Sequence, residues 1–303
     1  MFYSILGIYC FVLVGFFAKR WFQDQIQERS FVVLSVYFFQ PILAFWGLST
    51  RPLHHDLLLV PFWFIVGIVL CFAVGAIGAR IFLKDAQERS ILTAAAIIGN
   101  TGNLGIPLGI AIFGHDSVIY TSLITLCNML VLQTVGVFLY SKGNYSLKAS
   151  LHNMIKLPVL WVALVALALN LLHVKIEENT FRALEMGAHT ALTLQLLTFG
   201  IFLNQIKLKT LNYRLLLATN VVKFLFLPLL LFPFFFWLKL DPLLTGVLIL
   251  QLTVPMAVNN INYASLYYCR PVDVAGMVLV TSLVYAGYLG IMVWVFRMWG
   301  ILG

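Results

Sequence analysis

The chain has 303 residues, of which 62% are hydrophobic and only 10% charged, and its mean hydropathy is +0.98. A soluble globular protein is about 45–50% apolar and about 25% charged, so a water-facing surface cannot be built from these residues and the composition points to a polytopic integral membrane protein. The net charge of +8 reads as a topology signal, because cytoplasmic loops of membrane proteins collect Lys and Arg; no nucleic-acid partner is expected.

A helix needs about 20 mostly apolar residues to cross the hydrocarbon layer. Ten segments meet that pattern, near 2–18, 31–48, 57–83, 91–113, 118–140, 157–173, 181–204, 215–238, 243–268 and 274–296. Span one follows no basic stretch and precedes no small-residue cleavage site, so it reads as an uncleaved helix. The longest connection, 141–156, lies between spans five and six. It separates a first repeat, 1–140, from a second, 157–303, and reads as a cytoplasmic connecting loop. The four cysteines, Cys10, Cys71, Cys127 and Cys269, are scattered and form no CxxC; they read as packed thiols.

Connections after odd-numbered spans carry Lys19, Arg20, Arg29, Arg80, Lys84, Arg89, Lys142, Lys148, Lys156, Lys207, Lys209, Arg214 and Arg270, which is 13 of the 19 Lys and Arg. The other side carries Arg51, Lys175, Arg182, Lys239 and Arg297. The positive-inside rule then places both termini on the non-cytoplasmic side. His54-His55-Asp56 and His115-Asp116 read as solvated turns in outer loops.

Two spans are interrupted. Span four contains Gly99-Asn100-Thr101-Gly102-Asn103-Leu104-Gly105-Ile106-Pro107, and span nine contains Thr253-Val254-Pro255-Met256-Ala257-Val258-Asn259-Asn260-Ile261-Asn262. Proline in a helix interior costs about 3 kcal/mol and glycine about 1 kcal/mol relative to alanine. Unwound backbone is tolerated at membrane depth only where protein or water covers it. The two breaks fall at equivalent places in the halves. Five spans per half is an odd number, so the second half is inverted relative to the first. Paired discontinuous helices in inverted repeats point to a binding site near the bilayer midplane, whereas a packing kink is the bland alternative.

The span-four stretch, Gly99 to Leu108, resembles the most diagnostic motif of the auxin efflux carrier family, which includes bacterial permeases and the plant PIN carriers. Pro255-Met256-Ala257-Val258, Ala264, Tyr267-Tyr268 and Val272-Asp273 are similar to its second signature. Gln40-Pro41, and Lys223 followed by Pro228, also look like the family. The resemblance implies an all-α, ten-helix fold like that of sodium/proton antiporters and bile acid transporters, with spans four and nine crossing at Gly102, Gly105, Pro107 and Pro255. It further implies a homodimer, a scaffold of spans 1, 2, 6 and 7, and a transport domain of spans 3–5 and 8–10 moving as an elevator. The long central loop of the plant members is reduced here to 141–156. Gly187-Ala188-His189-Thr190 lacks the proline that many relatives carry shortly after Gly-Ala.

A half-helix N-terminus presents free N–H groups and roughly +0.5 charge, which suits a carboxylate. Asn100, Thr101, Asn103, Asn259, Asn260 and Asn262 are therefore the candidate anion-binding residues, the alternative being that individual asparagines only cap broken helix ends. Lys223 lies well inside span eight. It either snorkels to the interface or serves anionic cargo electrostatically. Glu185 and His189 share a face of span seven with Arg182, reading either as a salt-linked helix start or as a protonatable coupling pair. Asn128 and Gln133 in span five, with Gln195 and Asn204 in span seven, either line a polar path or make interhelical hydrogen bonds.

Enzymatic motifs (HExxH, GxSxG, an intramembrane aspartate pair) and a Walker A sequence are absent, and a buried-His acyltransferase finds no other support. The expected function is secondary transport of small organic anions such as mono- or dicarboxylates across the cytoplasmic (inner) membrane. No cofactor is expected, and the coupling ion, H+ or Na+, stays open. A sodium-coupled symporter of the bile-acid type and a ligand sensor that does not transport are the alternatives.

Overall fold

Apolar runs fold as long helices that tolerate isolated Gly and Pro, Pro233 lying inside one of them, whereas clustered Gly, Asn and Pro break the helical pattern at 99–107 and 254–255. The computed structural model describes residues 2–49, 59–114, 116–172, 174, 176–206 and 211–302, with the backbone alone for 2–9. The candidate turns at His54, His55, Asp56 and His115, and the loop bases Arg51, Lys175, Lys207 and Lys209, lie outside the described residues. The helices are α1 Phe2–Phe22, α2 Glu28–Ser49, α3 Leu59–Phe82, α4 Ala86–Ile97, α5 Thr101–Phe113, α6 Ser117–Lys142, α7 Leu147–Lys156, α8 Pro158–Leu171, α9 Glu178–Gln205, α10 Tyr213–Trp237, α11 Pro242–Thr253, α12 Asn259–Leu266 and α13 Pro271–Met298.

Among the described residues, α2, α3, α6, α9, α10 and α13 are long and apolar enough to cross a membrane, and α7 with α8, bent by 55° at Leu157, makes a seventh candidate. Length and apolarity alone thus carry fewer crossings than the ten-span reading. The shortfall includes both interrupted spans. At about 1.5 Å per residue, the 12-residue α4 and α11 and the 8-residue α12 each fall short of the ~30 Å hydrocarbon core.

The helix starts are capped by the residues suited to it. Asp85, Ser146, Asn212 and Asp241 each accept a backbone N–H from the first turn of α4, α7, α10 and α11, the role short polar side chains fill at N-termini. Glu177 does the same for α9 through the N–H groups of Asn179 and Thr180, and these bonds to its charged form hold its carboxyl below the usual value. The connecting stretch 141–156 is largely helical. In α7, Leu147, Leu151 and Ile155 recur at four-residue spacing and are all exposed.

The chain divides into two compact units, one of Met1–His55, Leu132–Leu211 and Val258–Gly276, the other of Asp56–Val131, Asn212–Ala257 and Met277–Gly303. In the first unit α1 lies directly on α9. A Cβ on Gly15 would fall 2.1 Å from the Leu197 carbonyl oxygen, and one on Gly200 1.9 Å from that of Val12. Small residues let membrane helices approach this closely, where dispersion rather than hydrophobic exclusion holds them. On α2, Trp46 packs near Phe181 and His189 of α9, and Leu48 accepts a hydrogen bond from Asn170 of α8 at 2.6 Å. Arg29 closes the C-terminus of α12 by donating to the carbonyls of Ser265 (2.6 Å) and Leu266 (3.0 Å), a favourable end for a cation. In the second unit α3 packs on α4, Gln251 and its neighbours on α11 are buried, and Phe113 of α5 meets Phe296 of α13.

Candidate functional site

The two interruptions meet within the second unit. Helix α4 stops at Ile97 because Gly99 and Asn100 leave helical geometry, Asn100 having φ −81° and ψ 58°. Helix α11 stops at Thr253, since Val254 precedes a proline and is pushed to an extended conformation, φ −53° and ψ 153°. The two freed strands pair antiparallel at Gly99 and Met256. The Asn100 N–H donates to the Pro255 carbonyl at 2.8 Å, and the Ala257 N–H to the Ile98 carbonyl at 3.2 Å. Each break thereby satisfies the other's backbone, as apolar surroundings require. The Met256 N–H is met by Thr281 Oγ1 at 3.3 Å.

Beyond the crossing, α5 opens in a widened π-type turn, Thr101–Gly105, with the Leu104 and Gly105 N–H groups both directed to the Asn100 carbonyl. The first N–H groups of a helix have no partner within it, so those of Thr101, Gly102 and Asn103 remain as donors at the positive end of α5. Thr101 is buried, and Asn128 of α6 donates to its Oγ1 (3.2 Å) and to the Gly99 carbonyl (2.9 Å), locking the turn. The half-buried amides of Asn100 and Asn103 have no hydrogen-bond partner among the described residues. Pro107 sits in the first turn of the regular part of α5, where its missing N–H is least costly.

Lys223 is wholly buried in a second widened turn, Val222–Phe226 of α10, and donates to the Ala95 carbonyl at 3.0 Å. It does not snorkel. It places a cation on the negative end of α4, three residues before the unwound segment.

A residue the sequence reading did not single out also belongs here. Gln251 on α11 is 1% exposed, and neither end of its amide has a hydrogen-bond partner among the described residues. It presses on Gly105, where a Cβ would stand 2.1 Å from Gln251 Oε1. An isolated Gln inside the apolar run Leu248-Ile249-Leu250-Gln251-Leu252 was the available signal. Gly105→Ala is expected to cost about 1–3 kcal/mol through overpacking. Gln251→Ala should relieve that clash, so in a melting-temperature double-mutant cycle the double variant is more stable than Gly105→Ala alone; simple additivity would contradict the contact.

The remaining candidates lie in the first unit. Asn260 and Asn262 are buried, Asn260 accepting from Tyr140 (2.8 Å) and Asn262 donating to Ser35 (3.2 Å). Asn259 is half-buried, and its Oδ1 accepts from Gln40 at 2.7 Å. Glu185 and His189 stand 4.0 Å apart on an exposed face of α9, while Arg182 pairs with Glu178 rather than Glu185. The asparagines of the two breaks thus divide between the units, Asn100 and Asn103 with the crossing and Asn259, Asn260 and Asn262 on α12.

A sequence model of the family described as "Membrane transport protein" matches residues 1–293. The chain is also 22% identical over 291 residues to an uncharacterized transporter of Methanocaldococcus jannaschii, covering 92% of this chain and 93% of that protein.

Proposed function

Since the chain belongs to the membrane transport protein family, and is a multi-pass membrane transporter rather than an enzyme, we propose that it is a secondary carrier of small organic anions, carboxylates above all. The observation that carries this reading is the crossing of the two unwound segments. It leaves the N–H groups of α5 and the amides of Asn100 and Asn103, unpartnered among the described residues, as a cluster of donors with no acidic side chain in the segment. Such a cluster suits a carboxylate and offers little to a cation. Asn259, on α12 of the first unit, is proposed separately as an amide donor to anions. The two compact units support an elevator in which spans 3–5 and 8–10 move against a scaffold of spans 1, 2, 6 and 7, although α6 and the span-nine segment each contribute to both units. The ten-span inverted repeat, the homodimer, the inner-membrane location and the outward-facing termini belong to the same proposal, the last resting on the loop bases.

Counterflow in proteoliposomes tests it. Vesicles preloaded with an unlabelled carboxylate should accumulate the labelled one transiently, and binding without counterflow would identify a sensor. Repeating the assay with a sodium or a pH gradient distinguishes a sodium-coupled symporter from a proton-coupled carrier. If Glu185 and His189 couple transport to protons, Glu185→Gln flattens the pH dependence.

A further inference from the structure

The first unit contains an uninterrupted file of buried amides that ends on Asn259. The Tyr263 hydroxyl donates to Gln133 Oε1, Gln133 Nε2 donates to Gln40 Oε1 at 3.2 Å, and Gln40 Nε2 donates to Asn259 Oδ1 at 2.7 Å. Tyr263 and Gln133 are 0% and Gln40 1% exposed. Asn262 Nδ2 adds a second donor to Asn259 Oδ1 at 3.4 Å while also donating to Ser35 Oγ. Each amide accepts at one end and donates at the other, so the file has a direction, and the Asn259 carbonyl is held inward by two donors. Its Nδ2 has no partner among the described residues. Three of the participants sit in or beside widened turns, Ser35 and Gln40 at Ser35–Phe39 of α2 and Gln133 at Leu132–Gly136 of α6, the kind of helix irregularity that concentrates at functional sites.

We infer that Gln133 and Gln40 are positioning residues that set the polarity of the Asn259 amide, so that it meets the ligand as a donor and selects anions. The inference rests on the carboxylate reading above and assigns its selectivity to two residues that need not touch the ligand. A buried polar chain of this kind polarises along its length and acts as a unit.

The test reverses the file from its far end. In Gln133→Glu, the introduced side chain when protonated still accepts from Tyr263 and donates to Gln40, preserving the original direction. Once ionised it only accepts. Gln40 must then turn its Nε2 toward position 133 and its Oε1 toward Asn259, whose amide flips to present its carbonyl. Binding of benzoate and succinate to the purified full-length protein is measured by calorimetry between pH ~6 and ~10, the range in which a buried Glu ionises. Across the range the affinity of Gln133→Glu should fall about tenfold or more relative to wild type measured at the same pH, one charge-assisted hydrogen bond being worth at least that factor.

Gln40→Met, which frees Asn259 to rotate, should weaken binding only a few-fold at every pH. In the double variant Gln133→Glu with Gln40→Met this extra pH dependence should vanish. Its persistence would mean simple repulsion by the new charge and would overturn the inference, as would a Gln133→Glu profile that runs parallel to wild type. If Gln133→Glu melts before ligand is added, Gln40→Glu makes the same prediction one step nearer to Asn259. A wild-type protein that binds neither acid overturns the carboxylate reading itself.

Discussion

Lys223→Met is expected to remove most transport, about tenfold or more, while leaving the protein as stable as before or more so. The ammonium is wholly buried on α10 and bonds to one neutral carbonyl, Ala95 at the end of α4; among the described residues no carboxylate pairs with it. Burying an ion costs several kcal/mol even after the surroundings relax. The single hydrogen bond and the helix-end attraction return about 1.5–3 kcal/mol and up to ~2 kcal/mol. Met has nearly the same length and shape, so it fills the space without creating a cavity. The orphaned Ala95 carbonyl costs about 1–3 kcal/mol, which the vanished ion-burial cost offsets. A positive charge behind the crossing therefore contributes little to the fold, which fits the proposed role of attracting anionic cargo. Transport and melting temperature measured on the same preparation decide the matter. If both fall together, Lys223 is a helix cap and no more.

The second large effect is structural. Gly200→Ala should lower the melting temperature by roughly 2–12 °C, because the obstacle is backbone: the new methyl would stand 1.9 Å from the Val12 carbonyl oxygen and 2.7 Å from the Phe16 nitrogen. A real Cβ keeps at least 3.0 Å from such atoms, so α1 and α9 must separate along a seam where they touch at both Gly15 and Gly200. Overpacking costs about 1–3 kcal/mol, and each kcal/mol corresponds to about 2–4 °C in a chain this large. Gly290→Ala on α13, where a Cβ meets nothing within 4 Å, is the control and should be neutral. Equal melting of the two variants would contradict the close packing of α1 on α9.

What was legible in the sequence was local. Apolar runs and their breakers place the helices, and Gly99 to Pro107 and Val254-Pro255 mark the two interruptions, because backbone preference acts on a few neighbouring residues. The pairing of Gly99 with Met256 was not legible, since it joins segments 157 residues apart. The depth of Lys223 could be read from its flanking apolar residues, but its acceptor is a backbone carbonyl on another helix, and carbonyls carry no sequence signature. Gln251 was hidden because a lone amide in an apolar helix is usually an interhelical bond. Arg182 chose Glu178 over Glu185, both being within one turn of it, and helical spacing cannot separate the two. The amphipathic α7 was readable from Leu147, Leu151 and Ile155 but was obscured by its polar neighbours, which suggested a loop.

Whether a carboxylate is held at the crossing is decided by the affinity of Asn100→Ala for benzoate and succinate. The Asn100 amide has no hydrogen-bond partner among the described residues, so its removal breaks none of their bonds, and the ligand-free melting temperature should not move. One charge-assisted hydrogen bond is worth about 1.5–3 kcal/mol, so binding should weaken by about tenfold or more. An Asn100→Ala variant that melts like wild type and binds the acids with wild-type affinity would contradict the account.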